Sequence, residues 1–179
     1  KIPIAYSQGF HPNPRMNLAS ALPLGITSDC ELLDVWLESP IDMNVIHENL
    51  QKALPPGIQI YSIDEIHSQT PALQTQVIAA EYVVTFLKPI EDLDLRIHHL
   101  LSCKSLLRNR CGKSYDLRAL IEEISLYPSK SDEPPQLFMR LTAREGATGR
   151  PDDVLDALGI PVTDVRIKRT RLILKDFHP

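Results

Sequence analysis

The sequence predicts an α+β fold of tandem ferredoxin-like (βαββαβ) units, the first lacking its leading strand and helix. Three observations carry that expectation. Strand-patterned and helix-patterned segments alternate along the 179 residues. The second half reads strand, helix, strand, strand, helix, strand, the order of one such unit. The first half reads strand, strand, helix, strand, which matches the last four of those elements. Either the halves are unrelated or the chain begins part-way into its first unit. The second reading is adopted, because Lys1 is not an initiator methionine and Ile2–Tyr6 reads as a continuation. The division expected is a first unit over 1–70, a connector over 71–79 and a second unit over 80–179.

The chain opens on Tyr6-Ser7-Gln8-Gly9-Phe10-His11-Pro12-Asn13-Pro14-Arg15, between apolar Ile2/Ile4 and Met16/Leu18. Gly9 permits unusual backbone angles, while Pro12 and Pro14 fix their own φ and push His11 and Asn13 toward extended geometry. A stiff loop presenting Tyr6, Gln8, Phe10, His11 and Arg15 is expected. Met16–Ser20 reads as a short strand, and Glu31–Glu38 as a clearer one in which Leu33, Val35 and Leu37 alternate with Asp34, Trp36 and Glu38. Asp42 is an N-cap for a helix over Met43–Leu54, and Pro55-Pro56-Gly57 stops it. Ile58, Ile60, Ile63 and Ile66 predict a further strand.

Glu81–Lys88 has the β-branched and aromatic centre of a strand, and Ile90–Leu101 the apolar spacing of a helix. A basic strand follows at Ser105–Arg110, then a turn at Gly112. Ser114–Tyr127 reads as a strand interrupted by a helical turn around Arg118–Glu123. Ser129–Pro135 is a polar, proline-bearing loop and Gln136–Ala143 another strand. Pro151 suits the first turn of a helix ending at Gly159, and Val162–Leu174 closes the chain as a long basic strand.

Composition narrows the function. The net charge is −4, yet residues 1–79 hold three basic and eight acidic residues while residues 80–179 hold sixteen and fifteen. Positive charge is concentrated in the second half, so local patches matter more than the total. Cys30, Cys103 and Cys111 form no CxxC pair and no disulfide framework, and are expected to be reduced, structural thiols. No apolar run approaches the roughly 20 residues that span a bilayer, and no signal peptide is present, so the cytoplasm is the default location and no membrane partner is expected.

The Y-S-Q-G-F-H-P-x-P-R run at Tyr6–Arg15 is followed by Ala21-Leu22-Pro23-Leu24-Gly25, Arg108-x-Arg110-x-Gly112-Lys113, Asp116-Leu117-Arg118, Gly149-Arg150-Pro151-Asp152 and Arg169-Thr170-Arg171-Leu172. Together these resemble a bacterial family of unknown function, the radical-SAM-linked proteins, which occur fused to or encoded beside a cobalamin-binding radical SAM module. The resemblance implies a further strand and helix upstream, a radical SAM partner in cis or in trans, and a connection to RNA metabolism. This chain has no C-x-x-x-C-x-x-C run, so no cofactor is expected on it. The partner would carry the iron–sulfur cluster and S-adenosylmethionine, with cobalamin a further candidate.

Two basic segments stand out. One holds Lys104, Arg108, Arg110, Lys113 and Arg118, and the other Arg166, Lys168, Arg169, Arg171 and Lys175. Alternation puts Arg169 and Arg171 on one strand face and Lys168 on the other. Side by side, the segments would follow a phosphate backbone, and alone they would be edge strands protected by charge. Arg15 and His11 could join that face, with Tyr6 or Phe10 as a stacking platform, although core packing is the preferred reading of Phe10. Arg150 lies in a glycine-bearing loop ahead of a helix, suited to a phosphate or to an ordinary connector. The leading expectation is a non-catalytic RNA-binding or substrate-presenting module, for tRNA or rRNA. Its alternatives are a protein-interaction domain and a metal-independent ribonuclease using His11. The remaining histidines show no ligand spacing, and P-loop, dinucleotide-binding and nucleophile-elbow motifs are missing from the sequence.

Overall fold

A computed structural model of the chain describes residues 2–67, 69–128 and 134–175. In chain order the strands and helices are β1 (Met16–Leu18), β2 (Thr27–Ser28), β3 (Leu33–Val35), α1 (Met43–Ala53), α2 (Leu73–Gln76), β4 (Val77–Phe86) and α3 (Leu93–Ser102). They continue through β5 (Leu107–Arg110), β6 (Lys113–Asp116), β7 (Ile121–Leu126), β8 (Gln136–Arg144), β9 (Ala147–Thr148), α4 (Pro151–Ala157) and β10 (Val165–Leu174). Single 3-10 turns at Arg118–Leu120 and Val162–Asp164 precede β7 and β10. The fold is mixed α/β.

The main sheet runs β2-β10-β4-β8-β7, and β9 pairs with β8. β10, β4, β8 and β7 are antiparallel neighbours, while β2 joins β10 in parallel. Period-two alternation sends Tyr82, Val84, Phe86, Leu137, Met139, Leu141, Val165 and Ile167 to one face, where they are buried. The same cluster contains Leu93, Ile97 and Leu100 of α3, Val154 and Leu155 of α4 and Leu158 at its C-cap, so both helices cover that face. β5 and β6 form a separate hairpin, turning at Cys111 (φ 49°) and Gly112 (φ 78°). Cys111 is thus an exposed thiol at a turn, not the buried one expected, while Cys30 and Cys103 are half-buried.

The first half is held differently. β1 and β3 form a small antiparallel ladder, with Met16 opposite Val35, Asn17 opposite Asp34 and Leu18 opposite Leu33. Residues 3–5 extend it, the amide of Ala5 donating to Trp36 O (2.8 Å) and that of Glu38 to Pro3 O (2.8 Å). Asp42 caps α1 as expected, its carboxylate accepting from the Asn44 amide at 2.8 Å. Of α1, only Ile46 is buried. The strand expected over Ile58–Ile66 does not form. Its residues suit a strand, but a strand needs a partner, and none of the described strands pairs with them.

Two other boundaries shift. β4 starts at Val77 and α2 occupies Leu73–Gln76, both inside the stretch expected to be a connector. The terminal strand begins at Val165, because Val162–Asp164 is a 3-10 turn. The loop expected at Ser129–Pro135 falls largely outside the described residues.

Candidate functional site

The opening loop is closed at its neck. The Ser7 amide donates to Asn13 O (2.8 Å), the Asn13 amide to Ser7 Oγ (3.0 Å) and the Arg15 amide to Ala5 O (2.8 Å). Gly9, at φ 140°, makes the bend that a side chain would strain. Between those closures Gln8, Gly9, Phe10, His11 and Pro12 are exposed, and so is Tyr6. Phe10 is fully exposed, which overturns the core reading of that ring. Asn13 donates its side-chain amide to His11 O (3.1 Å), fixing the backbone beneath the imidazole. Arg15 lays its guanidinium over Trp36, 5.1 Å from the ring centroid, a cation–π contact that the sequence did not suggest. The result is a braced projection tipped by a phenyl ring and an imidazole.

Several arginines of the basic segments meet carboxylates rather than open solvent. On the β5–β6 hairpin, Arg110 pairs with Asp153 of α4 and also donates to Thr148 O at 3.2 Å. Tyr115 donates to the same Asp153 oxygen at 2.7 Å, and its ring lies 4.8 Å below the Arg110 guanidinium. Burial, and then Asp153, push the Tyr115 phenol up. Arg108 reaches Asp156, one helical turn along, at 3.4 Å. Arg118 donates to Leu101 O (3.3 Å) and Ile121 O (3.2 Å), tying α3 to the start of β7. Arg150 grips Asp152 with two hydrogen bonds of 2.9 and 2.7 Å.

Arg169 is withdrawn completely. Its side chain has no solvent access and pairs with Glu31 through both carboxylate oxygens, while donating to Ser20 O at 3.0 Å and Ala21 O at 3.3 Å. Burial lowers its basicity, but Glu31 more than restores it, so the charge persists. It cannot reach a phosphate on the surface, and its place among the nucleic-acid contacts is corrected to a structural one. Its expected alignment with Arg171 fails as well. A bulge at Thr170 puts Arg169 opposite Tyr82 and Arg171 opposite Glu81, so the buried–exposed alternation skips a residue. Arg171 is exposed with Arg166 and Lys168, and Lys168 contacts Asp29 at 3.1 Å. Lys113 and Arg171 have no carboxylate within ion-pair reach among the described residues.

The structure therefore brings Tyr6, Gln8, Phe10, His11 and Arg15 together, and ties Arg108, Arg110, Arg118 and Arg150 into the scaffold. What the reading of the basic segments missed was the carboxylate row. Asp153 and Asp156 sit three apart on α4, and Arg108 and Arg110 two apart on β5, spacings that present matching faces. The Pro23-Leu24-Gly25-Ile26 turn meets Arg150, Asp152 and Val162 at a cleft of about 160 Å³, with Leu24 fully exposed at its edge. Among the described residues no three histidine, cysteine or acidic side chains converge on a metal position, and no helix is long and apolar enough to cross a membrane.

Comparison with curated proteins finds no match. The profile of one family, DUF2344, described as an uncharacterized protein conserved in bacteria, matches residues 1–151, up to the first residue of α4. That span holds the braced loop, the β1–β3 ladder and the β5–β6 hairpin, and the chain belongs to the DUF2344 family.

Proposed function

We propose that this chain is a non-catalytic docking module that seats on a partner enzyme through its first half. One observation carries the reading. The ladder turns Met16, Leu18, Leu33 and Val35 outward, each 40–55% exposed, and turns Asn17 and Asp34 inward. An apolar cross-strand group left in water, next to a loop ending in a fully exposed phenylalanine, is the pattern of an interaction surface. The resemblance to radical-SAM-linked proteins supplies the class of partner, a radical SAM module in cis or in trans that carries its own iron–sulfur cluster and S-adenosylmethionine. The element order β4, α3, β7, β8, α4, β10 and the sheet order β10-β4-β8-β7 support a ferredoxin-like second unit. In the first half β1, β3 and α1 supply part of another.

The test is co-purification of the chain with a radical SAM protein encoded beside it, before and after nuclease treatment. A nuclease-resistant complex lost in Leu18→Asp and Leu33→Asp supports docking. A complex indifferent to both substitutions, or no complex at micromolar concentrations, rejects it.

A second reading, an RNA-binding or substrate-presenting role, is favoured by the opening loop. Phe10 offers a free ring for an unpaired base, beside His11 and Arg15. Filter binding of RNA at two salt concentrations tests it, since phosphate contacts weaken as salt rises. Binding that ignores salt, or no binding, would reject this role.

A further inference from the structure

The main sheet has a second face, opposite α3 and α4, and side-chain direction along β10, β4, β8 and β7 assigns its residues. Arg166 pairs with Thr85, which pairs with Gln136, making one row across the sheet. Lys168, Val83, Phe138 and Ser125 make the next. Arg166, Lys168 and Ser125 are exposed and Thr85, Gln136, Val83 and Phe138 half-buried, whereas their neighbours Val84, Phe86, Leu137 and Met139 on the helix side are fully buried. The helices α3 and α4 belong to the opposite, buried face.

Their chemistry is one-sided. The two rows contain Arg166 and Lys168 and no acid. The acids of this face begin one row further, where Arg140 holds Glu81 at 2.6 Å and Glu123 at 3.8 Å. Glu122 accepts from Thr142 at 3.0 Å beyond them. Arg166 has no carboxylate within ion-pair reach among the described residues, and Lys168 has only the half-exposed Asp29. An exposed pair of that kind is weak and exchangeable. In the middle of the second row sits Phe138, its ring edge-to-face with Tyr127 at a centroid distance of 6.0 Å and an interplanar angle of 75°. Two interstrand spacings, about 10 Å, separate the cations of β10 from that ring. A lysine or arginine spans much of this distance, so a base stacked on Phe138 has its phosphates within reach of Lys168 and Arg166. A duplex keeps its bases in its own stack and cannot use such a platform.

We propose that this helix-free face binds single-stranded nucleic acid, with Phe138 and Tyr127 stacking on bases and Arg166 and Lys168 contacting phosphates. The proposal rests on the RNA-binding reading of the chain and gives it a site distinct from the opening loop. The experiment is fluorescence anisotropy of a labelled single-stranded RNA of about 8 nucleotides, within the length one small domain covers, at low and moderate salt. Phe138→Leu should weaken binding roughly tenfold by removing one stacking partner, while Phe138→Tyr, which keeps the ring, should retain it. The double variant Arg166→Glu, Lys168→Glu should weaken binding further and flatten the salt slope by roughly 0.7 for each phosphate no longer neutralised. Thermal melting of each variant confirms that the sheet is intact. RNA binding that survives these changes but disappears in Phe10→Ala, His11→Ala overturns this site and leaves the RNA-binding reading standing. No binding by the unaltered chain overturns both. Equal competition by duplex RNA or by poly-glutamate overturns the single-strand assignment, the latter in favour of an acidic protein partner.

Discussion

Replacing Arg169 by methionine should cost about 3 kcal/mol of stability, and the figure can be worked from its contacts. The guanidinium is wholly inaccessible and donates to both Glu31 oxygens, to Ser20 Oγ (3.3 Å) and to the carbonyls of Ser20 (3.0 Å) and Ala21 (3.3 Å). Breaking a fully buried ion pair by removing one partner costs about 3–5 kcal/mol. Glu31 is one-third exposed, so its carboxylate recovers water and the lower end applies. Methionine fills much of the vacated volume, leaving the unpaired carbonyls as the main penalty. Urea unfolding followed through Trp36, the single tryptophan, measures the loss. Arg169→Lys should recover little, because an ammonium cannot satisfy two carboxylate oxygens and two carbonyls in one plane. Hydrogen exchange should localise the weakening to residues 20–31, which Arg169 ties to β10. A loss below about 1 kcal/mol, or RNA affinity that collapses while stability holds, would refute this account of the residue.

Three other consequences follow from the scaffold. Gly149→Ala should destabilise by about 1–3 kcal/mol, since a Cβ there would lie 3.1 Å from Leu120 O and 3.2 Å from the Cβ atoms of Leu120 and Leu141; thermal melting checks it. Asp153→Asn should bring the Tyr115 phenol back toward its ordinary 10.0, leaving burial, which raises it, opposed by Arg110, which lowers it, as ultraviolet titration would register. It should also expose the β5–β6 hairpin to proteolysis. Asp116 is held below its ordinary 3.8 by the Leu106 amide first and by the Arg118 amide as well. A depressed acid contributes stability above its unfolded pKa and loses it as pH falls through the folded one. Acid unfolding below about pH 4 should therefore be shallower in Asp116→Asn, and an unchanged profile would remove Asp116 from the explanation.

Much of the second half was legible because its signals are local. The β-branched centre of β4, the apolar spacing of α3 and the Pro151/Gly159 brackets of α4 each name their element without help from distant residues. The bulge at Thr170 was legible too, had phase been followed: Val165 and Ile167 are odd-numbered apolar positions, Leu172 and Leu174 even-numbered ones, and strict alternation cannot hold both. What could not be read was partnership. Arg110 and Asp153 are 43 residues apart, and Arg169 and Glu31 138 apart, so a charge count along the chain sees cations where the fold makes pairs. Ile58–Ile66 failed for the same reason in reverse, since a strand is a property of two segments. The braced loop succeeded because glycine and proline act within a few residues of themselves.

The ladder sets a quantitative demand on any partner. Full burial of an aliphatic side chain from water is worth about 1.5–3 kcal/mol, but Met16, Leu18, Leu33 and Val35 are already about half covered. Sealing all four therefore gains about 4 kcal/mol, whereas a micromolar complex requires about 8 kcal/mol net after the loss of rigid-body freedom. The ladder alone falls short. The neck of the opening loop runs straight into β1, so Phe10, a fully exposed ring, is the nearest source of additional burial. Phe10 adds at most about 3 kcal/mol, so docking must draw on the ladder, the loop and further surface together: Phe10→Ala and Leu33→Asp should each weaken the complex measurably, and the double variant more than either. If Phe10→Ala leaves the affinity for the partner unchanged, the remaining energy has to come from another surface, and the loop is free for a different ligand.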